Sequence, residues 1–173
     1  PHGSFVLPAA EAPVVMIAGG VGIAPFLGML EEAAALGDRR PIRLVYAVHK
    51  SNGLASLKRL RELQSELDLI IYCIVEEQNP GSDNLIGPLG RHHISHILDG
   101  LQTEKLTALV CGPAGMMEIA TDALLAAGVS SRSIHYERFD YAAGKGRLDN
   151  ARRREALFPF LMLAVAMIAF SLR

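Results

Sequence analysis

Residues 14–26 read Val14-Val15-Met16-Ile17-Ala18-Gly19-Gly20-Val21-Gly22-Ile23-Ala24-Pro25-Phe26, an apolar run that ends in a glycine-rich turn and a proline. An unbroken apolar run bounded by glycine is typical of a strand buried on both faces. Proline suits the first turn of a helix, where its missing N–H has no intrahelical partner. A strand, a turn and a helix in this order direct backbone N–H groups and a helix dipole towards an anion such as phosphate. The turn lacks the third glycine of G-x-G-x-x-G, so an ordinary tight connection remains an alternative.

The composition limits the class of protein. The chain has 173 residues, half of them hydrophobic, which suffices for one domain with an appendage. Its net charge of −1 argues against nucleic acid as a partner. The two cysteines, Cys73 and Cys111, argue against disulfide, cysteine-metal and iron–sulfur sites and suit a reducing compartment. The chain starts at Pro1 without a methionine, and we interpret it as part of a longer polypeptide.

Apolar periodicity predicts an α/β fold. Strands are predicted at 14–18, 42–48, 69–75, 106–110 and 133–139, and helices at 25–36, 54–67, 91–101 and 114–127. Residues 78–90, rich in proline and glycine, are predicted to form a loop. Alternating strands and helices indicate a parallel sheet with helices on both faces. We therefore expect a five-stranded sheet in the order 3-2-1-4-5, with an additional apolar helix at the C-terminus.

Two glycine-bearing turns follow the first and fourth predicted strands, at 19–22 and 111–115. In this arrangement the order in which successive strands are added to the sheet reverses between those two strands. Ligands of open α/β sheets bind beyond the carboxyl ends of the strands at such a reversal. The two turns should therefore flank one crevice, which is a more specific indication of a binding site than either turn alone.

Three ordered motifs carry a family resemblance. Gly19 to Pro25 matches G-G-[TV]-G-I-A-P, Cys111 to Met116 matches C-G-P-x-x-M, and Glu137-Arg138-Phe139 matches E-x-F. With these motifs the chain resembles the pyridine-nucleotide domain of the ferredoxin–NADP reductase superfamily over about residues 1–140. The opening Pro1 to Phe5 looks like the last strand of a preceding flavin barrel. The resemblance divides this part of the chain into an entry segment at 1–12 and an NAD(P)-binding domain at 13–140.

The resemblance implies an NAD(P)H-dependent flavin oxidoreductase. A hydride would pass from NAD(P)H to FAD held by a flavin domain of the longer polypeptide, and electrons would then pass singly to a haem, iron–sulfur or quinone protein. Cys111 and Glu137 are the implied catalytic residues, at the nicotinamide and towards the flavin. The implied cofactor-binding residues are Gly19, Gly20, Val21, Gly22, Ile23, Pro25, His49, Lys50, Glu76, Gly112, Pro113, Met116 and Phe139. The fragment alone should be inactive without the flavin domain, and a non-catalytic nucleotide-sensing or tethering module is the alternative.

The choice of nucleotide depends on residues after the second and third strands. Family members often carry an arginine for the 2′-phosphate of NADPH after the second strand, where this chain has His49 and Lys50. Glu76 and Glu77 follow the third strand, and carboxylates there would repel a 2′-phosphate and accept from a ribose hydroxyl. This pattern favours NADH. Lys50 leaves NADPH open, and the two glutamates are alternatively only solvated charges.

Three histidines occur in the predicted helix 91–101. His92 and His96 share a face at i, i+4, but neither a cysteine nor an H-E-x-x-H pattern accompanies them or His93. We expect surface helix residues and no metal site.

The last residues form an apolar tail. Residues 141–156 are predicted to be a basic linker containing Arg152-Arg153-Arg154, and residues 157–172 are apolar apart from Ser171. As a helix this run would measure about 24 Å, somewhat short of a hydrocarbon core of about 30 Å. We interpret it as a membrane-anchoring helix that holds the protein at the cytoplasmic face of a bacterial inner membrane. The alternatives are a segment that continues in the longer polypeptide and one that packs on another protein.

Overall fold

A computed structural model describes residues 5–9, 12–77 and 85–138. The chain divides into two units, Pro1–Phe139 and Asp140–Arg173, and every described residue belongs to the first. The predicted linker, the predicted apolar helix and Phe139 lie outside the described residues. Within the described ranges, no helix is both long enough and apolar enough to cross a membrane.

The described residues form a parallel α/β sheet with four α-helices. The strands are β1 Val14–Gly19, β2 Ile42–Val48, β3 Leu69–Val75, β4 Leu85–Ile86, β5 Thr107–Cys111 and β6 Ile134–Glu137. The helices are α1 Ile23–Leu36, α2 Leu57–Leu63, α3 Arg91–Leu98 and α4 Ala114–Ala126. The strand order is β4-β3-β2-β1-β5-β6, and every neighbouring pair is parallel.

The prediction of five strands was wrong, because the sheet has six. The five predicted strands are present in the predicted order, and the additional strand β4 lies within the predicted loop 78–90. It pairs only two residues with β3, Leu85 with Ile74 and Ile86 with Val75. Two residues are too few to show an alternating pattern. Such a strand exists because the free edge of β3 offers it backbone hydrogen bonds.

The burial of β1 on both of its faces explains why the apolar run contains no alternating polar residues. All of its residues are buried, since helices cover both faces of the sheet. Met16 and Ala18 face the core beneath α1 and α2, and Val15 and Ile17 face the core beneath α3 and α4. This two-sided burial is the property of parallel sheets that the sequence predicted.

The boundaries of α1 differ modestly from the predicted ones, and those of α2 differ strongly. Helix α1 begins at Ile23, so Pro25 lies within its first turn, and it ends at Gly37 with a left-handed φ of 68°. Helix α2 is much shorter than the predicted 54–67. Ser56 precedes it with a left-handed φ of 57°, which interrupts helical geometry. Leu67 is nevertheless buried, because the chain after α2 turns back onto the same core.

Candidate functional site

The two glycine turns lie against each other, as their positions after β1 and β5 predicted. A Cβ atom on Gly19 would lie 2.6 Å from Sδ of Met116 and 2.7 Å from Cδ of Pro113. A Cβ on Gly22 would overlap the main-chain carbonyl oxygen of Cys111. The absence of side chains at Gly19 and Gly22 is therefore what allows the ends of β1 and β5 to form one continuous floor.

Gly112 completes this floor from the other side. A Cβ on Gly112 would lie 2.7 Å from Cε of Met116 and 3.0 Å from the Cα of Gly19. The half-buried Met116 thus covers both glycines, whereas Pro113 is exposed at the rim. The sequence singled out all four residues, and the structure brings them together.

Gly20 and Val21 form the exposed tip of the first turn. Gly20 has a left-handed φ of 55°, and a Cβ on it would meet nothing within 4 Å. Glycine is therefore required here by conformation rather than by crowding, and the space beside it is open. Val21 is 53% exposed, so its side chain borders this open space.

The N-terminus of α1 opens into this same space. Helix α1 continues directly from a 3₁₀ turn at Gly20–Gly22, and the N–H of Ile23 donates to the carbonyls of Gly20 and Val21. No side chain caps either segment, and neither has an acidic residue in its first turn. The N–H groups without an intrahelical acceptor are therefore those of the turn itself, and they carry a partial positive charge. An uncapped helix start beside an open glycine turn is a site for an anion, and the pyrophosphate of a dinucleotide is an anion of suitable chemistry.

Cys111 is fully buried at the end of β5, paired with Ala18 of β1 and Glu137 of β6. Burial, and to a lesser degree the charge of Glu137, raise the pKa of the Cys111 thiol to about 11. The thiol is therefore protonated at neutral pH, which excludes a thiolate nucleophile. Its small side chain packs into the core beneath α1, where it contributes shape rather than charge.

Glu137 is half-buried at the end of β6. The register of β6 with β5 places it beside Cys111. The predicted roles of Glu137 and Phe139 towards a flavin stay predictions. The ends of β1, β5 and β6 nevertheless lie in sequence along one edge of the sheet. This edge can accommodate an extended ligand that starts at the glycine turn and runs towards Glu137.

The ends of β2 and β3 carry four charged or titratable side chains, His49, Lys50, Glu76 and Glu77, which we call the charged cluster. The Nδ1 atom of His49 is 2.8 Å from Oε2 of Glu76, and its Nε2 atom is 3.1 Å from Oε1 of Glu77. The Nζ atom of Lys50 is 3.2 Å from the same oxygen of Glu77. All four side chains are about half-exposed or more. Lys50 is thus already paired with a carboxylate.

Tyr46 holds the loop between β2 and α2, a role that the sequence did not predict. Its side chain is fully buried in β2. The phenol oxygen donates a hydrogen bond to the carbonyl of Gly53 and accepts one from the N–H of Ala55, both at 3.0 Å. Burial raises the pKa of this phenol, so it remains a donor at neutral pH. In the sequence Tyr46 only indicated a strand, because its partners are loop backbone groups.

The three histidines of α3 do not form one cluster of mutual contacts. His93 is buried, contrary to the expectation of a surface residue, and its Nδ1 atom accepts a hydrogen bond from the N–H of Gly90 at 3.2 Å. The Nε2 atoms of His92 and His93 are 3.0 Å apart, whereas His96 packs edge-on against Tyr72. In residues 5–9, 12–77 and 85–138, no three metal-ligating side chains are grouped to hold a metal ion.

Comparison with known proteins places this geometry in context. Residues 16–122 match the family model described as an oxidoreductase NAD-binding domain. The chain is 30% identical over 148 residues to the electron transfer component of 2-halobenzoate 1,2-dioxygenase from Burkholderia cepacia, covering 83% of this chain and 42% of that protein. It is 33% identical over 156 residues to a flavohemoprotein from Pseudomonas putida, covering 83% of this chain and 36% of that protein.

Solved structures agree with the sequence comparison. The flavohem-like FAD/NAD-binding domain of nitric oxide dioxygenase from Vibrio cholerae superposes with a TM-score of 0.70 at 27% identity, covering 80% of this chain and 56% of that one. The Amycolatopsis cytochrome P450 reductase gives a TM-score of 0.69 at 27% identity, covering 80% and 42% of the two chains. The chain spans less than half the length of the curated relatives that it matches.

Proposed function

The chain belongs to the family of oxidoreductase NAD-binding domains, within the ferredoxin–NADP reductase superfamily, and we propose that it is the NAD(P)H-binding part of a flavoprotein reductase. The observation that carries this proposal is the contact between the Gly19–Gly22 turn and Cys111 beneath the uncapped start of α1. The relatives named above as an electron transfer component and a flavohemoprotein support the same class of reaction.

The residues present fit a dinucleotide. The backbone of the Gly20–Gly22 turn would bind the pyrophosphate, with Gly20 and Val21 at its open tip and the buried Gly22 at the start of α1. Cys111 and Gly112 would form the floor beneath the nicotinamide, with a neutral thiol that adds no competing charge. The chemistry supplied by the bound cofactors is transfer of a hydride from NAD(P)H, which leaves as NAD(P)⁺, to a flavin. The protein's own contribution is to position the reactants.

We propose NADH rather than NADPH as the preferred donor. The charged cluster contains two carboxylates, Glu76 and Glu77, and its Lys50 is already paired with Glu77. A 2′-phosphate near the ends of β2 and β3 would meet net repulsion, whereas a ribose hydroxyl can donate to a carboxylate. The support is the sign of the charges together with the lysine's existing partner.

We propose the flavin and the electron acceptor for the whole protein, of which this chain is one part. A flavin-binding domain in the same polypeptide would take the hydride, and a haem, iron–sulfur or quinone protein would take single electrons. The isolated chain should then bind nucleotide without oxidising it at a significant rate. Mixing the purified chain with NADH, with and without added FAD, tests this expectation through the absorbance of the reduced nicotinamide.

Stopped-flow mixing of the full-length protein with NADH tests the proposed function. Bleaching of the flavin absorbance within the turnover time supports the reductase. Nucleotide binding without bleaching would instead support the non-catalytic sensing or tethering module. A full-length protein that stays free of FAD after reconstitution with excess flavin would contradict the proposal outright.

We also propose attachment to the cytoplasmic face of a bacterial inner membrane through residues 157–172. The support comes from the sequence alone, an apolar run preceded by Arg152-Arg153-Arg154. Deletion of residues 157–172 from the full-length protein should move it from the membrane pellet to the supernatant. Equal partitioning of both forms would contradict the anchor.

A further inference from the structure

Arg40 is a largely buried cation in the turn between α1 and β2. Its side chain is only 9% exposed, and that of its partner Asp38 is 14% exposed. The Nε atom of Arg40 donates to Oδ2 of Asp38 at 2.7 Å, and its main-chain N–H donates to Oδ1 at 2.9 Å. Its Nη1 atom donates to the main-chain carbonyl of Pro8 at 2.6 Å. The guanidinium thus ties two distant parts of the chain together.

This arrangement exceeds what the turn itself requires. Removing a guanidinium from water costs free energy that only good ion pairs and hydrogen bonds offset. Asp38 could shape the turn by accepting from the main-chain N–H of Arg40 alone, as such side chains commonly do in turns. The bond to Pro8 instead holds the entry segment, of which residues 5–9 are described.

The other end of the described entry segment is held by an aromatic contact. The rings of Phe5 and Phe26 have centroids 5.6 Å apart at a tilt of 46°. Phe26 is fully buried in the first turns of α1, just after the glycine turn. Leu7 packs against the same core. The segment is therefore attached to the core beneath α1 through Phe5 and Leu7, and to the turn after α1 through Pro8.

The two attachments lie towards opposite edges of the sheet. Helix α1 starts where β1 ends, at the edge that carries the glycine turn, and it ends near the start of β2. Phe26 marks the first of these edges and Arg40 the second. Phe5, the first described residue, therefore lies on the side of the nucleotide crevice. Arg40 fixes the segment on the far side.

We propose that Arg40 is a positioning residue for hydride transfer, because it locks the entry segment and thereby sets where the preceding flavin domain stands relative to the crevice. This inference rests on the proposed function. Hydride transfer needs reacting atoms about 3–3.5 Å apart, and a misplacement of about 1 Å can cost about 10²-fold in rate. An entry segment released at Pro8 would be held only by the packing of Phe5 and Leu7, which would fix that distance less tightly.

The test uses the full-length protein with Arg40→Met, which removes the charge and donors but keeps an unbranched apolar side chain. Stopped-flow flavin reduction at several NADH concentrations gives a limiting rate constant and a dissociation constant separately. We expect the limiting rate constant to fall about tenfold or more, by the distance argument above. The dissociation constant for NADH should stay within about twofold, since Arg40 lies away from the crevice. Arg40→Lys should recover part of the rate.

Two controls keep the result interpretable. The double variant Asp38→Asn with Arg40→Met removes the carboxylate that Arg40→Met alone would leave buried without its partner, so it serves if the single variant folds poorly. Arg59→Met removes an arginine that is ion-paired with Glu31 on the surface of α1 and α2, and it should leave both constants unchanged. An unchanged rate constant in the double variant would overturn the proposal, as would equal losses of rate and affinity.

Chymotrypsin cleavage after Phe5 separates this inference from the proposed function. If Arg40 holds the segment, cleavage there quickens about tenfold in Arg40→Met, whatever the flavin does. Unchanged cleavage would overturn the inference even in an active reductase. A wild-type protein that binds NADH but leaves its flavin oxidised would instead overturn the proposed function.

Discussion

The Cα atom of Gly22 lies directly against the main-chain carbonyl of Cys111, with no room for a side chain between them. Gly22 is also the N-cap of α1, and Cys111 is the last residue of β5. One contact therefore fixes both the start of the helix that would face the pyrophosphate and the end of the strand that would support the nicotinamide. The geometry of the crevice depends on it.

Substitution of Gly22 should separate the two turns. The Cβ of Gly22→Ala would overlap backbone that cannot rotate away, and overpacking of this kind costs about 1–3 kcal/mol. Urea unfolding should show this loss of stability, together with weaker NADH binding by the isolated chain. Gly28→Ala is the matched control, because Gly28 lies in α1 with open space around it and alanine favours helices. A destabilised Gly28→Ala with a stable Gly22→Ala would contradict this account.

A negative charge at the tip of the glycine turn should weaken nucleotide binding. Val21 is exposed, so Val21→Glu can be accommodated without disturbing the core. A carboxylate near the pyrophosphate should raise the dissociation constant for NADH about tenfold or more, corresponding to about 1.4 kcal/mol. Calorimetric titration of the isolated chain measures the change, and raised salt should reduce it. Val21→Thr keeps the shape without the charge and should bind normally. Equal affinities of the two variants would argue against a phosphate at this turn.

Neutralising the charged cluster should improve the use of NADPH. Glu76→Gln combined with Glu77→Gln removes both carboxylates and frees Lys50 to pair with a phosphate. We expect the ratio of kcat/KM for NADPH to that for NADH to rise about tenfold in the full-length protein, equivalent to about 1.4 kcal/mol. Glu104→Gln removes an exposed carboxylate shortly before β5, remote from the cluster, and should leave the ratio unchanged. A ratio unaffected by the double substitution would place the ribose elsewhere.

Loss of the Tyr46 hydroxyl should loosen the loop after β2. Tyr46→Phe leaves the carbonyl of Gly53 and the N–H of Ala55 without their phenol partner, at a cost of about 1–3 kcal/mol. Chemical denaturation measures the loss, and amide exchange at Ala55 should quicken. Tyr72→Phe in β3 provides the comparison, because the Tyr72 ring contributes by packing against His96. Similar losses in both variants would mean that the Tyr46 hydrogen bonds contribute little.

The stability of the domain should fall as the pH falls below about 6.5, the ordinary pKa of histidine. Burial, with a contribution from His92, lowers the pKa of His93 in the folded protein. The unfolded chain therefore binds a proton that the folded chain resists, so the stability is complete above pH 6.5 and declines as pH approaches the lowered value. Protonated His93 would also oppose the N–H of Gly90 with a second donor.

Urea unfolding at pH 7 and at pH 5 measures this effect. The difference in unfolding free energy between the two pH values should be smaller in His93→Asn than in the wild type. The exposed His135 is the control, and His135→Asn should retain the wild-type difference. A pH dependence that survives in His93→Asn would assign the effect to other groups.

The sequence by itself determined the sheet and the crevice. The apolar run of β1 predicted burial on both faces, and the glycines after β1 and β5 marked two turns that the strand order had to bring together. These are local patterns combined with a topological rule for parallel sheets, which needs no knowledge of side-chain positions. The structure confirms the five predicted strands in the predicted order. The sequence patterns missed β4, because its two residues pair only with the edge that β3 supplies.

Only the tertiary structure decided which side chains reach one another. Lys50 could have served a phosphate, and its pairing with Glu77 became evident from the adjacent ends of β2 and β3. The bond from Arg40 to Pro8 joins residues far apart in the chain. A long polar side chain can reach many possible partners, and the packing around it determines which one it contacts. Periodicity in a sequence records which face a residue occupies, but not which distant backbone atom its side chain will meet.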